Sequence, residues 1–128
     1  MTTETLDFDT GRLAEAMQRM RPDEVDALPF GAIRLDAAGK VTYYSETERQ
    51  QSGYSGEAIG RTFFTEMAPC MDNPRFRGRI EQALARGTLD IAFDYIADFP
   101  SGARGVEVRV RVQSAGDGGC WIFMLLED

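Results

Sequence analysis

Cys70 stands after a short apolar run and just before an Asp-Asn-Pro turn, in RTFFTEMAPCMDNPRF (61–76), and the chain holds no histidine. A thiol with no imidazole beside it lacks the base of the thiol hydrolases, and most zinc and haem sites lose their usual ligand as well. The expectation is therefore a protein that is not an enzyme. The two cysteines, Cys70 and Cys120, form neither a structural zinc site nor a disulfide framework, which points to a reducing cytoplasm. Two roles stay open for Cys70. It is a small buried hydrophobe, or its side chain is aimed into a cavity from the edge of a helical segment. Cys120 sits beside Trp121 at the start of an apolar strand and reads as packing.

Tyr44, Glu48 and Ser52 recur every four residues, a spacing that stacks them on one face if 45–52 is helical. On a solvated face such a row has no special role. Turned inward, Glu48 would be protonated and would need a hydrogen-bonding partner.

The elements that must position these groups follow from pattern. At 128 residues, 43% apolar and 27% charged, the chain is one soluble domain with a proper core. A net charge of −7 argues against a nucleic-acid partner, which needs clustered cations. No apolar run approaches the roughly 20 residues that span a bilayer, and the acidic start lacks a signal-peptide pattern.

Leu13, Ala16, Met17 and Met20 predict a helix over 9–20, capped by Asp9 or Thr10. A short helix follows in PDEVDAL, opened by Pro22. FGAIRLDAAGKVTYY reads as a hairpin, with strands at 32–35 and 41–43 and a turn at 36–39. SETERQQSG is helical and stopped by Gly53. PRFRGRIEQALARG (74–87) is a helix with Phe76, Ile80, Ala83 and Leu84 on one face. Strands close the chain in TLDIAFDYIADF, GVEVRVRV and CWIFMLL, joined by short turn-rich links and so antiparallel. The order describes an α+β protein: a five-stranded antiparallel sheet with helices grouped on one face.

Five segments carry a family resemblance: FGAIRLD (30–36), G-x-x-FF-x-x-x-APC from Gly60 to Cys70, D-x-P-x-F (72–76), F-x-Y (93–95) and W-x-F (121–123). In these the chain resembles the photoactive yellow protein family, blue-light receptors of the PAS superfamily. The resemblance implies a PAS fold with an N-terminal helical cap (1–28) and a PAS core (29–128). It also implies p-coumaric acid attached to Cys70 as a thioester, with no base required, since Cys70 is only an anchor.

Counted from FGAIRLD, the family's phenolate-binding tyrosine, protonated glutamate and supporting threonine fall on Tyr44, Glu48 and Ser52. Counted back from Cys70 they fall on Tyr43 and Thr47, and a one-residue deletion between Gly53 and Gly60 reconciles the two. Only Tyr44 has a glutamate four residues on. Phe63, Phe64, Ala68, Pro69, Tyr95 and Phe99 are implied near the chromophore.

There are departures. Gly53 or Tyr54 stands where the family has a lid arginine, Ala97 and Phe99 replace a Phe and a Tyr, and Ser101 replaces a methionine that assists thermal return. Slow dark recovery is the expectation, unless Met67 or Met71 supplies that contact. The implied signal runs from light-driven isomerisation, through proton transfer from Glu48, to a buried charge that loosens the cap and reaches an unnamed signalling protein or fused output domain. The competing expectation is a non-photoactive PAS module that senses another ligand or binds a protein. A flavin receptor of the LOV type is disfavoured because its Asn-Cys-Arg-Phe-Leu segment is missing.

Overall fold

The computed structural model of the chain describes residue 8 and residues 11–87, 89–99, 102–115 and 118–126. Two short helices come first, α1 (Leu13–Gln18) and α2 (Pro22–Asp26). The caps expected at Asp9 and Thr10 lie outside the described residues. α2 is opened by Pro22, and the Arg21 amide donates to Glu24 Oε1 at 2.9 Å, which satisfies a donor the helix itself cannot.

The hairpin forms as its pattern predicts, from β1 (Gly31–Leu35) and β2 (Val41–Tyr44). In its turn Asp36 Oδ1 accepts the Ala38 and Lys40 amides at 2.9 and 3.0 Å. Helix α3 (Glu46–Ser52) starts on Ser45, whose hydroxyl accepts the Glu48 amide at 3.2 Å, and stops at Gly53 with φ of 72°. A π-helical turn (Phe63–Met67) and a 3₁₀ turn (Pro69–Met71) follow.

Helix α4 (Arg77–Ala85) begins later than the sequence pattern predicts. The reason is local: Asn73 Oδ1 accepts the Arg75 and Phe76 amides at 2.9 and 3.1 Å and holds Pro74 in a separate turn. Phe76, Ile80 and Ala83 are buried as expected, but Leu84 is 51% exposed.

β3 (Asp90–Ala97), β4 (Val106–Ser114) and β5 (Cys120–Leu126) complete one antiparallel sheet, in the order β2-β1-β5-β4-β3. Alternation along its strands divides two cores. Ile33, Val110, Ile122 and Met124 face α4 and the turns between α3 and α4. Phe30, Ala32, Trp121 and Phe123 face the N-terminal helices. The cap thus covers the opposite face.

Polar side chains hold the cap. Gln113 accepts the Ala14 amide at 2.7 Å and donates to Gly11 O at 2.9 Å, while Arg111 donates to Phe8 O at 2.8 Å. These β4 residues are buried although alternation alone would leave them in solvent. A second clasp joins the end of α2 and the segment after it to β2 and α3: Tyr43 Oη donates to Asp26 Oδ1 at 2.6 Å, and Thr47 Oγ1 to Leu28 O at 2.7 Å.

Candidate functional site

Ser45 decides where the polar row of α3 points. It is fully buried, and its Oγ also accepts the Ala32 amide of β1 at 2.9 Å, which pins the first turn of α3 against the sheet. The helix then presents Glu48 and Ser52 inward, toward Tyr44 at the end of β2. Tyr44 Oη and Ser52 Oγ lie 2.9 Å apart. Ser52 Oγ accepts the Tyr54 amide at 3.2 Å, so its own proton is available to Tyr44.

Glu48 is 1% exposed. Burial pushes its carboxyl up to about 8, only partly opposed by a hydrogen bond from Gln51. At neutral pH it is mostly protonated. Tyr44 is pushed above the usual phenol range by burial first and then by the nearby Glu48.

The carboxyl fits only because residue 31 is glycine. A Cβ there would sit 1.9 Å from Glu48 Oε1 and 2.9 Å from its Cβ. We expect Gly31→Ala to displace Glu48 and to cost about 1–3 kcal/mol, read as a lower urea midpoint. An unchanged midpoint would show that the carboxyl does not rest on β1.

Cys70 occupies the 3₁₀ turn, half-buried, and its Sγ donates to Asp98 O at 3.3 Å. Tyr95 Oη and Asn73 Nδ2 both donate to the Cys70 carbonyl, the latter at 2.8 Å, and so brace the turn. Tyr44, Glu48, Ser52 and Cys70 all line one cavity, with Phe63, Ala68 and Phe99. Phe64 does not line it: its ring packs on Phe63 and Phe76, with the Arg77 guanidinium over its face. Pro69 is exposed, and Tyr95 reaches the site only through the Cys70 carbonyl. Tyr43 and Thr47, the other register, turn away to the cap.

The space enclosed is about 20 Å³, room for about one water. Seating an aromatic ring there requires side chains to part. Met67, Met71 and Met124 line the same space, and unbranched thioethers repack readily. In its chemistry the donor set suits a phenolate attached to a thiol: two O–H donors and a sulfur open on one mostly apolar cavity.

Residues 25–126 match the protein family described as PAS fold. Photoactive yellow protein of Rhodothalassium salexigens is 34% identical over 122 residues, 94% of this chain and 97% of that protein. The chain belongs to the photoactive yellow protein family. The photoactive yellow protein of Halochromatium salexigens is 32% identical, covering 91% of this chain and 94% of its own. Among solved structures, the photoactive yellow protein domain from the sensor histidine kinase Ppr of Rhodospirillum centenum superposes with a TM-score of 0.78 at 42% identity, covering 87% of this chain and 97% of that one. These likenesses support a light-sensing PAS domain.

Within the photoactive yellow protein family's pocket pattern, the structure separates the two residues at the lid position. Gly53 ends α3, whereas Tyr54 lines the cavity, with its ring centroid 6.1 Å from that of Tyr44. Arg49 lies over the Tyr44 ring at 5.6 Å and donates to Tyr54 O at 3.1 Å. Sequence reasoning missed Gly31, Gln51 and Met124. Gln51 had a signal, since it stands three residues after Glu48 on the same helix face. Gly31 and Met124 had none, because only the fold brings β1 and β5 to α3. Among the described residues no helix is long and apolar enough to cross a membrane.

Proposed function

We propose that this protein is a blue-light receptor that carries p-coumaric acid as a thioester on Cys70. The observation that carries the reading is that a thiol opens onto the same cavity as Tyr44 and a buried, protonated Glu48. When bound, the group would supply light absorption and isomerisation about its double bond. Tyr44 and Glu48 would donate short hydrogen bonds to its phenolate oxygen, and Ser52 would hold Tyr44 in direction. Glu48 holds the transferable proton. Once ionised, its carboxylate is a charge in a poorly solvated site, a penalty of several kcal/mol against a whole-domain stability of about 5–15 kcal/mol.

That penalty is relieved by opening the nearest seam. Tyr43 and Thr47 are the chain neighbours of Tyr44 and Glu48, and both clasp the cap. Movement of β2 and α3 would therefore release α2. The output would be a separate signalling protein or a fused domain, in a reducing cytoplasm that suits two free thiols.

Incubation with activated p-coumarate tests the reading. The expected result is a yellow, photobleachable protein with a coumaroyl mass on the Cys70 peptide and none on the Cys120 peptide. A colourless product would leave a PAS module that senses something other than light. Slow dark recovery rests on Ser101, which with Pro100 lies outside the described residues. Met67 and Met71, the alternative source of that contact, both line the cavity. Flash photolysis of Ser101→Met should show faster recovery, and no acceleration would assign the contact to those methionines.

A further inference from the structure

We infer that Gln51 is a positioning residue that selects which Glu48 oxygen carries the proton and ties that carboxyl to the central sheet. Its Nε2 lies 2.9 Å from Glu48 Oε1 and 3.3 Å from the Met124 carbonyl of β5, so both amide hydrogens have an acceptor and the amide is held from two sides. The carbonyl oxygen of a neutral carboxylic acid is a much better acceptor than its hydroxyl oxygen. The N–H from Gln51 therefore favours Oε1 as the carbonyl oxygen and leaves the proton to Oε2, free to be donated. Oε1 is also the atom that lies over Gly31. Two separate contacts thus fix the same oxygen against β1 and β5.

The consequence extends to the ionised state. When Glu48 loses its proton, the bond from Gln51 becomes charge-assisted and strengthens. Among the described residues no other charged group acts on the carboxyl. Tyr44 of β2 is a neutral phenol, the adjacent strands offer Gly31 and the Met124 backbone, and Arg49 on α3 is directed at Tyr54 O and Gly56 O. Cys70 and Asp98 also line the cavity, where the Cys70 thiol donates to the Asp98 carbonyl. Gln51 is thus the main donor available to the buried anion, and it raises the lifetime of the state in which Glu48 is ionised. This second statement rests on the photoreceptor reading; the titration of Glu48 does not.

The test uses the full chain with Gln51→Met and Gln51→Leu, which remove the donor with two different shapes. Carbon-13 NMR of the Glu48 carboxyl in chromophore-free protein should show its titration midpoint raised by about one unit in both variants, because the neutral acid loses less than the anion does. A role in packing alone would lower stability without moving that midpoint. A midpoint unchanged in a folded variant would overturn the inference. In chromophore-loaded protein, both variants should recover in the dark about tenfold faster. Failure of the wild type to colour would sink the photoreceptor reading while leaving the titration to judge Gln51.

Discussion

Cys70→Ala should leave the protein folded and wholly colourless after treatment with activated p-coumarate. A thioester needs one accessible sulfur, and this variant removes the one that lines the cavity. The other thiol cannot stand in for it: Cys120 is 8% exposed, packed with the core of β5. The fold loses little, since Cys70 is half-buried and contributes one weak hydrogen bond to Asp98 O, worth about 1 kcal/mol or less. The loss of colour is therefore separable from a loss of structure. Visible absorption compared with the urea midpoint checks both halves. Colour retained in the variant, with a coumaroyl mass on the Cys120 peptide, would refute Cys70 as the anchor.

Glu48→Gln should move the absorption maximum to the red and remove most of the light-driven loosening of the cap. Glutamine still donates a hydrogen bond, but a less acidic one, so a phenolate is held less firmly. It also has no proton to lose, and no buried carboxylate forms. Hydrogen exchange at α1 and α2, in darkness and under illumination, reads the second effect. An unaltered spectrum would mean that Glu48 does not contact the phenolate oxygen.

The same substitution has a pH signature in the dark, even without the chromophore. Folded Glu48 titrates at about 8, against 4.5 ordinarily. Between those values the native state holds a proton that the unfolded chain has released, so the contribution is fully present below pH 4.5 and declines as pH rises toward 8. Each pH unit in that window removes up to about 1.4 kcal/mol. Wild-type stability should fall from pH 5 to 8 by an amount that Glu48→Gln does not share. Parallel urea profiles for the two proteins would show that Glu48 is ionised in the native state.

Much of the architecture was legible in the chain. Alternation in β4 and β5, the Asp36–Gly39 turn and the stop at Gly53 are local signals, and each acts through a few neighbouring residues. The candidate row was legible for the same reason, as a four-residue period in α3. What misled were positions governed by contacts at long range or by a competing local bond. Leu84 has the right spacing for the core but stays exposed, because α4 buries only the narrow stripe of Ile80 and Ala83, in line with Phe76 just before it. Pro74 looks like a helix opener, yet Asn73 captures the next two amides first.

By itself the sequence determined the element order, a lone thiol at Cys70, the missing imidazole and a polar row at helical spacing, since these depend on residue type and separation along the chain. Of the two registers that the family pattern allowed for that row, Tyr44 with Glu48 or Tyr43 with Thr47, residue type favoured the first, because only Tyr44 has a glutamate four residues on. Only the tertiary structure decided between inside and outside. Ser45 holds α3 to β1, Gly31 leaves room beneath the carboxyl, and Asp26 draws Tyr43 outward to the cap. Burial of Glu48, and with it the proton on which the proposed signal depends, arises from the meeting of β1, α3 and β5, and no spacing along one segment encodes that meeting.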